Sequence, residues 1–325
     1  MARVLVIGGT LFMGRAIVDQ LLKRGDDVVI MHRGASTPFG DRVEEIRCDR
    51  NDVRAVRSAL EGKRFDVVYD NVYDWQRGTS AEQVSAAVLA ARERLRRYVF
   101  MSSVAVYPAG GPYDENAPLA APDDPNVYSR QKADTERALF DLYRREEVPV
   151  TTLRPAFVYG PNNPYPREAF FWDRILADRP IIIPEDGSRT MQWVHADDVA
   201  RVALRAAAED VAIGHAYNLA SYPPVTHIEF VEMLARVAGR KAKLVQIPRA
   251  QIEKAGGDLM APPLYFGAYL DLPPITVRPD RVQAELGVAL RPLEEGMRQT
   301  FEWYRSQAPQ SNDFSWEDSL LAAAR

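Results

Sequence analysis

The sequence holds one cysteine, Cys48, in 325 residues, so no internal disulfide can form and a reducing compartment suits the chain. No apolar run approaches the roughly 20 residues that a membrane helix needs. The start, Met1-Ala2-Arg3-Val4-Leu5-Val6-Ile7, meets a glycine turn before it could serve as a secretion signal. A cytoplasmic protein with no membrane partner is expected. Basic excess is missing too: 41 Lys and Arg against 45 Asp and Glu leave a net charge of −4, which argues against nucleic acid as a partner. Four arginines lie in Arg92–Arg97, but Glu93 interrupts them and the stretch reads as a solvated helix end. With internal repeats and low-complexity tracts also lacking, 46% hydrophobic and 26% charged residues describe an ordinary globular chain. At this length about three quarters of the unfolded surface can be buried without a metal or disulfide staple.

The first half alternates short β-branched runs with helical patterns. Val4–Ile7, Val28–Met31, Val43–Arg47, Val67–Asp70, Tyr98–Ser102 and Val150–Leu153 read as buried strands. Gly14–Arg24, stopped by Gly25, reads as a helix, as do the segment carrying Val84, Ala87, Val88, Ala91 and Leu95, and Tyr128–Glu146. This order predicts an α/β fold with a Rossmann-type doubly wound parallel sheet, whose ligands bind at the carboxyl ends of the strands. Residues 1–160 are expected to form the dinucleotide-binding domain. Residues 161–305 form a smaller α/β substrate domain, partly interleaved with the first, and 306–325 a polar tail that frays or docks on a partner subunit.

After strand one, Gly8-Gly9-Thr10-Leu11-Phe12-Met13-Gly14 leads into a helix. Gly8 permits the tight turn, Gly9 a close approach to pyrophosphate and Gly14 close helix–strand packing, while the helix start offers free N–H groups to phosphate. Leu11 stands where the usual fingerprint has its middle glycine. Strand two ends in His32-Arg33-Gly34, without the carboxylate that accepts from a ribose 2′-hydroxyl; Arg33 suits a 2′-phosphate, so NADP(H) is favoured and NAD(H) stays open. Asp49 could meet the adenine edge or cap the helix over Asn51–Leu60.

Tyr128-Ser129-Arg130-Gln131-Lys132 places a phenol and an ammonium on one helix face. A lysine cation favours phenolate and lowers a pKa that is ordinarily about 10. The pair can then exchange a proton with a hydroxyl or carbonyl beside a nicotinamide. Upstream, Ser102-Ser103 ends strand five; Ser103 could hold a substrate oxygen, while Ser102 reads as a strand cap.

These motifs, with Arg154-Pro155-Ala156-Phe157-Val158-Tyr159-Gly160-Pro161 and Trp193-Val194-His195-Ala196-Asp197-Asp198, resemble the extended short-chain dehydrogenase/reductases, the NAD(P)-dependent epimerase/dehydratase family. The Gly-Gly-Thr-x-Phe-x-Gly turn and His32-Arg33-Gly34 are similar to an atypical branch that includes chloroplast RNA-binding members. The resemblance spans roughly residues 3–305. It implies a small-molecule substrate, a catalytic set of Ser103, Tyr128 and Lys132, a Lys132 contact with the nicotinamide ribose, Pro155 near the nicotinamide, and a homodimer through the helices near 80–95 and 128–146. Asn71, in a segment where small residues are usual, could touch the cofactor ribose. Phe157 and Met191 replace the asparagine and arginine with which nucleotide-sugar members hold a diphosphate, and Arg189 could substitute. Ser103, Val104, Phe157, Arg189 and Gln192 are the expected substrate contacts. A non-catalytic or RNA-interacting member of the family is the alternative.

No metal is expected: in His195-Ala196-Asp197-Asp198 the resemblance implies that Asp197 caps a helix and His195 packs. His215 and His227 read as surface residues. The aromatics of Pro262–Tyr269 could line an apolar pocket or form a packed loop.

Overall fold

The computed structural model describes residues 1–165, 167–255, 273–307 and 313–323. Among these, no helix is long and apolar enough to cross a membrane. The chain divides into two compact units, each assembled from three stretches. The aromatics of Pro262–Tyr269 lie outside the described residues.

The first unit comprises Met1–Ala156, Ala196–Ala220 and Val277–Leu290. Its core is a seven-stranded sheet of β1 (Arg3–Ile7), β2 (Asp27–His32), β3 (Glu44–Arg47), β4 (Val67–Asp70), β5 (Arg97–Met101), β6 (Val150–Pro155) and β7 (Ala216–Leu219). The order is β7-β6-β5-β4-β1-β2-β3 and every pairing is parallel. The order reverses between β1 and β4, the point at which doubly wound sheets open a crevice for ligands. Both faces are covered, so the strands read as apolar runs: β5 is buried at every residue and β1 at all but its first. The helices are α1 (Phe12–Arg24), α2 (Val53–Leu60), α3 (Ala81–Ala91), α4 (Val127–Glu146), α5 (Ala196–Ala208) and α6 (Asp280–Leu286). On one face, Leu5, Ile7, Val68 and Phe100 meet Val84, Val88 and Leu139 of α3 and α4.

The α4 helix begins where Asn126 accepts hydrogen bonds from Tyr128 N and Ser129 N at 3.1 and 3.2 Å, and it buries Ser129, Lys132, Ala133, Glu136 and Leu139 along one stripe. Arg154 of β6 fixes its azimuth by donating to both Glu136 oxygens from Nε, at 3.0 and 3.1 Å; it also donates to the Tyr107 hydroxyl, which itself donates to Asn218 Oδ1. Burying this pair costs desolvation that only such complete hydrogen bonding offsets. The network holds the helix of Tyr128 and Lys132 in one rotational setting.

The second unit comprises Phe157–His195, Ser221–Thr276 and Arg291–Arg325. Its described strands pair two by two: 157–159 with 193–195, 180–184 with 243–247, and 190–191 with 225–226. Aromatic packing replaces a continuous sheet as the organiser, with Trp193 stacked on Phe230 at 4.4 Å and Trp172 tilted against Phe301 at 5.1 Å. The C-terminal stretch, expected as a polar tail, supplies a helix over Ser315–Ala323 to this unit. Leu320 and Leu321 join its core, and Glu317 accepts from Nε of buried Arg174 at 2.7 Å. The helix has an apolar side that the polar residues around it mask in the sequence.

Candidate active site

At the end of β1, Gly8 adopts φ +83° and its N–H donates to Met31 O at 2.9 Å, so the turn closes against β2. The glycines are sterically required: a Cβ at Gly14 would stand 2.0 Å from Gly8 O and 2.9 Å from Asn71 Nδ2, and one at Gly8 would stand 2.4 Å from Val72 Cγ2. Thr10, Phe12 and Met13 are half-buried around this turn, while Leu11 is 65% exposed and clear of the crossing. No side chain caps α1 and no acid lies in its first turn, so its N-terminal N–H groups and the positive end of its dipole remain for an anion. Beside them Asn71 Nδ2 donates to Gly8 O at 3.5 Å, and the buried Asn71 Oδ1 has no partner among the described residues. An uncapped helix start, a glycine crossing and an orphaned polar atom together fit a dinucleotide.

Past β2, Arg33 donates to Asp74 Oδ2 at 3.0 Å with its guanidinium side chain 58% exposed. Arg77 shares the same oxygen, at 2.7 Å from Nη2, and reaches Asp49 Oδ2, also at 2.7 Å. These hydrogen bonds from Arg77, with others from the backbone of residues 76 and 77, hold the Asp74 carboxyl well below the usual carboxylate range. Asp49 is therefore an ion-pair partner. It accepts from Asn51 N at 2.9 Å, whereas α2 is capped by Asp52, whose Oδ1 accepts from Ala55 N at 2.9 Å.

The residues expected to handle a proton lie at the end of β5. Lys132 is buried, and its Nζ donates to Met101 O at 2.6 Å and stands 4.6, 5.5 and 5.9 Å from the ring centroids of Phe100, Tyr73 and Tyr128. Burial pushes its pKa down to about 8. Tyr128 is half-buried; Trp75 stacks on it at 4.9 Å with planes 24° apart, and Tyr73 meets it edge-on at 4.7 Å. Ser103 opens the short helical turn Val104–Val106 and accepts from Ala105 N at 3.1 Å, with Val104 half-buried next to it. Ser102 does not act as a cap: it is buried, and its Oγ has no partner among the described residues. Pro155 ends β6, paired with Leu219 of β7.

Of the expected substrate contacts, Phe157, Arg189 and Gln192 belong to the second unit. Phe157 packs against Trp193 with ring centres 5.4 Å apart, and Gln192 is buried and donates to Ser221 O at 2.9 Å. Arg189 borders a cavity of about 420 Å³ that Pro184, Gly187, His227 and Arg249 also line. Met191 is part of the aromatic core. His227 is not a surface residue: it is the first residue of the helix over His227–Val237, 2% exposed, and burial together with the Arg189 charge pushes its pKa down to about 4. Asp197 is an exposed residue of the first turn of α5. Asp198 pairs with Arg201, and His195 is buried with Tyr159 edge-on at 5.2 Å. His215 lies 3.2 Å from Glu285. No cluster of three or more metal-ligating side chains occurs among the described residues.

Five residues that sequence reasoning missed complete the first unit's site: Tyr73, Asp74, Trp75, Arg77 and Gln131. Gln131 Oε1 accepts from the Tyr73 hydroxyl at 2.7 Å and from Thr79 N at 3.3 Å. The available signal was Asp70-Asn71-Val72-Tyr73, standing where the resemblance implies small residues after strand four.

The fold and the turn at the end of β1 define a Rossmann-type α/β protein that carries a tyrosine–lysine pair beside the carboxyl end of β5. The sequence profile of the NAD dependent epimerase/dehydratase family matches residues 4–220, and the chain belongs to that family. It is 30% identical over 253 residues to the chloroplast stem-loop binding protein of 41 kDa b from Arabidopsis thaliana, a match covering 73% of this chain and 63% of that one. It is 30% identical over 259 residues to a 3-diazoavenalumate denitrifying reductase from a Streptomyces species, covering 73% and 82%. Among solved structures it resembles dTDP-glucose 4,6-dehydratase from Bacillus anthracis in complex with NAD, with a TM-score of 0.74, 17% identity, and 94% and 97% of the two chains covered.

Proposed function

We propose that this chain is an NAD(P)-dependent oxidoreductase or epimerase acting at a hydroxyl or carbonyl carbon of a sugar, a sugar nucleotide or a small carbonyl compound. The observation that carries the reading is the buried Lys132 cation beside the Tyr128 ring at the carboxyl end of β5, in the unit that holds the glycine turn. Gly8, Gly9, Thr10, Leu11, Phe12, Met13 and Gly14 with the start of α1 would hold the pyrophosphate, and Asn71, Lys132 and Pro155 would border the ribose and nicotinamide. When bound, the nicotinamide supplies or accepts hydride. Tyr128 gives or takes the hydroxyl proton, the Lys132 cation favours its phenolate, and Ser103 keeps its O–H to donate to the substrate oxygen. Arg33 supports NADP(H) through its exposed guanidinium, with Asp49 and Asp74 as counter-charges; the NAD-bound dehydratase neighbour supports NAD(H). A homodimer through α3 and α4 belongs to the same reading.

The test is Tyr128→Phe. Turnover should fall by at least about a hundredfold while cofactor affinity stays within about twofold, and undiminished turnover would sink the assignment. In the parent protein, activity should also decline as pH rises through about 8, where Lys132 loses its charge. Nucleotide released on denaturation separates the cofactor readings: tightly held NAD marks an epimerase, and an empty site selecting NADPH marks a reductase. The likeness to a stem-loop binding protein favours a second reading, a nucleic-acid-interacting member, which salt-dependent RNA binding at physiological ionic strength would support.

A further inference from the structure

Lys132 is not the only charge buried near the ends of β4 and β5. Asp70, the last residue of β4, and Arg50, in the connection between β3 and α2, are both buried and form an ion pair. Arg50 and the Tyr98 hydroxyl donate to the same oxygen, Asp70 Oδ2, the hydroxyl at 2.6 Å, and Arg50 also donates to Gln83 O of α3 at 2.7 Å. Asp70 Oδ1 is buried with no partner among the described residues. The sheet register carries this pair toward Lys132. Asp70 pairs with Phe100 in the parallel ladder, so the two side chains share a face, and the Lys132 ammonium lies 4.6 Å from the Phe100 ring centroid. A buried ion pair contributes little net stability, but in a medium that screens poorly its charges act over several ångströms.

We infer that the Arg50–Asp70 pair is a positioning element for Lys132: the Asp70 carboxylate holds the ammonium charged, and the Arg50 guanidinium limits how firmly it does so. Its use in turnover rests on the reading of Tyr128 and Lys132 as the acid–base pair. The groups that face the ammonium come from four places: Asp70 from β4, Arg50 from the β3–α2 connection, Glu136 and Tyr128 from α4 itself, and Tyr73 from the segment after β4. Burial, the largest influence, lowers the Lys132 pKa; Asp70 raises it, Arg50 lowers it and Glu136 raises it, in that order of size. Glu136 is already engaged through both oxygens by Arg154, which leaves the Arg50–Asp70 pair as the adjustable balance. Burial, with Asp70 beside it, pushes the Tyr98 hydroxyl far up, so Tyr98 stays neutral and orients the carboxylate without adding charge.

The experiment follows the carbon-13 signal of Lys132 Cε by NMR through a pH titration of the full chain, with the signal assigned by Lys132→Arg. Asp70→Asn should lower the midpoint by about one pH unit, and Arg50→Met should raise it by about half a unit. Tyr98→Phe, which removes a hydrogen bond to the carboxylate but no charge, should leave it within about 0.3 unit. Should Asp70→Asn fail to fold with Arg50 stranded, the double variant Arg50→Met/Asp70→Asn takes its place, and its midpoint should lie about one unit below that of Arg50→Met. A cluster that only braces the fold would loosen the site and move every variant the same way. Unchanged midpoints, shifts of one sign in Asp70→Asn and Arg50→Met, or a Tyr98→Phe shift as large as that of Asp70→Asn would overturn the proposal. The alkaline limb of the turnover profile should move with the midpoint. Because the midpoint is read without turnover, midpoints that shift as expected while the turnover profile stays fixed would uphold the pair's hold on Lys132 and overturn the acid–base reading instead.

Discussion

Two connections leave neighbouring parallel strands at the switch point, and they build the site by opposite means. The β1–α1 turn works with backbone: its glycines let Gly8 O, Gly14 and Asn71 approach to distances that no side chain would permit, and the helix start supplies N–H groups. The β4–α3 connection works with side chains: Tyr73 and Trp75 cover Tyr128, while Asp74 ties Arg33 to Arg77. The first kind of site tolerates almost no substitution. The second can be retuned one side chain at a time.

The sharpest way to break this contrast is Gly14→Ala. The new methyl must displace backbone at Gly8, so the cost should reach about 3 kcal/mol or more and lower Tm by about 6 °C or more, with cofactor affinity lost as well. A thermal shift below about 2 °C would show that the turn yields more easily than its geometry implies.

Asp74→Asn should act more mildly and mainly on selectivity. The change leaves an acceptor for Gln76 and Arg77 but removes the charge that competes for Arg33. The ratio of NADPH to NADH affinity should therefore rise about three- to tenfold, measured by titration of each cofactor. The sign for stability follows from the depressed carboxyl: its contribution is present above the ordinary value near 4 and is lost as pH falls through the folded-state value. The variant should lack that acid-side component of unfolding.

Leu11→Gly should do least. Leu11 is 65% exposed at the N-cap and its helix bond uses only the backbone carbonyl, so stability should stay within about 0.5 kcal/mol and cofactor Kd within about threefold. A larger gain in affinity would mean that the missing middle glycine matters after all.

Legibility followed the same division. The turn could be read because glycine is the residue that tolerates φ +83° and near-contact crossings, so its pattern survives in one dimension. Tyr128 and Lys132 could be read because helical geometry puts i and i+4 on one face. Asp49 illustrates the limit: as a helix cap it was a local guess, whereas Asp52 caps α2 and the Asp49 carboxylate accepts from Arg77, 28 residues away. His227 and the Ser315–Ala323 helix failed similarly, since burial depends on neighbours contributed by distant segments.

By itself the sequence determined the parallel α/β sheet, the glycine turn and the tyrosine–lysine face, because strand period, helix period and glycine's φ range are all local properties. Tertiary structure decided that Trp75 lies on Tyr128, that Arg33 answers to Asp74, and that Lys132 is dry enough to titrate near 8. Those outcomes arise from through-space contacts and from exclusion of water, and neither is a function of spacing along the chain.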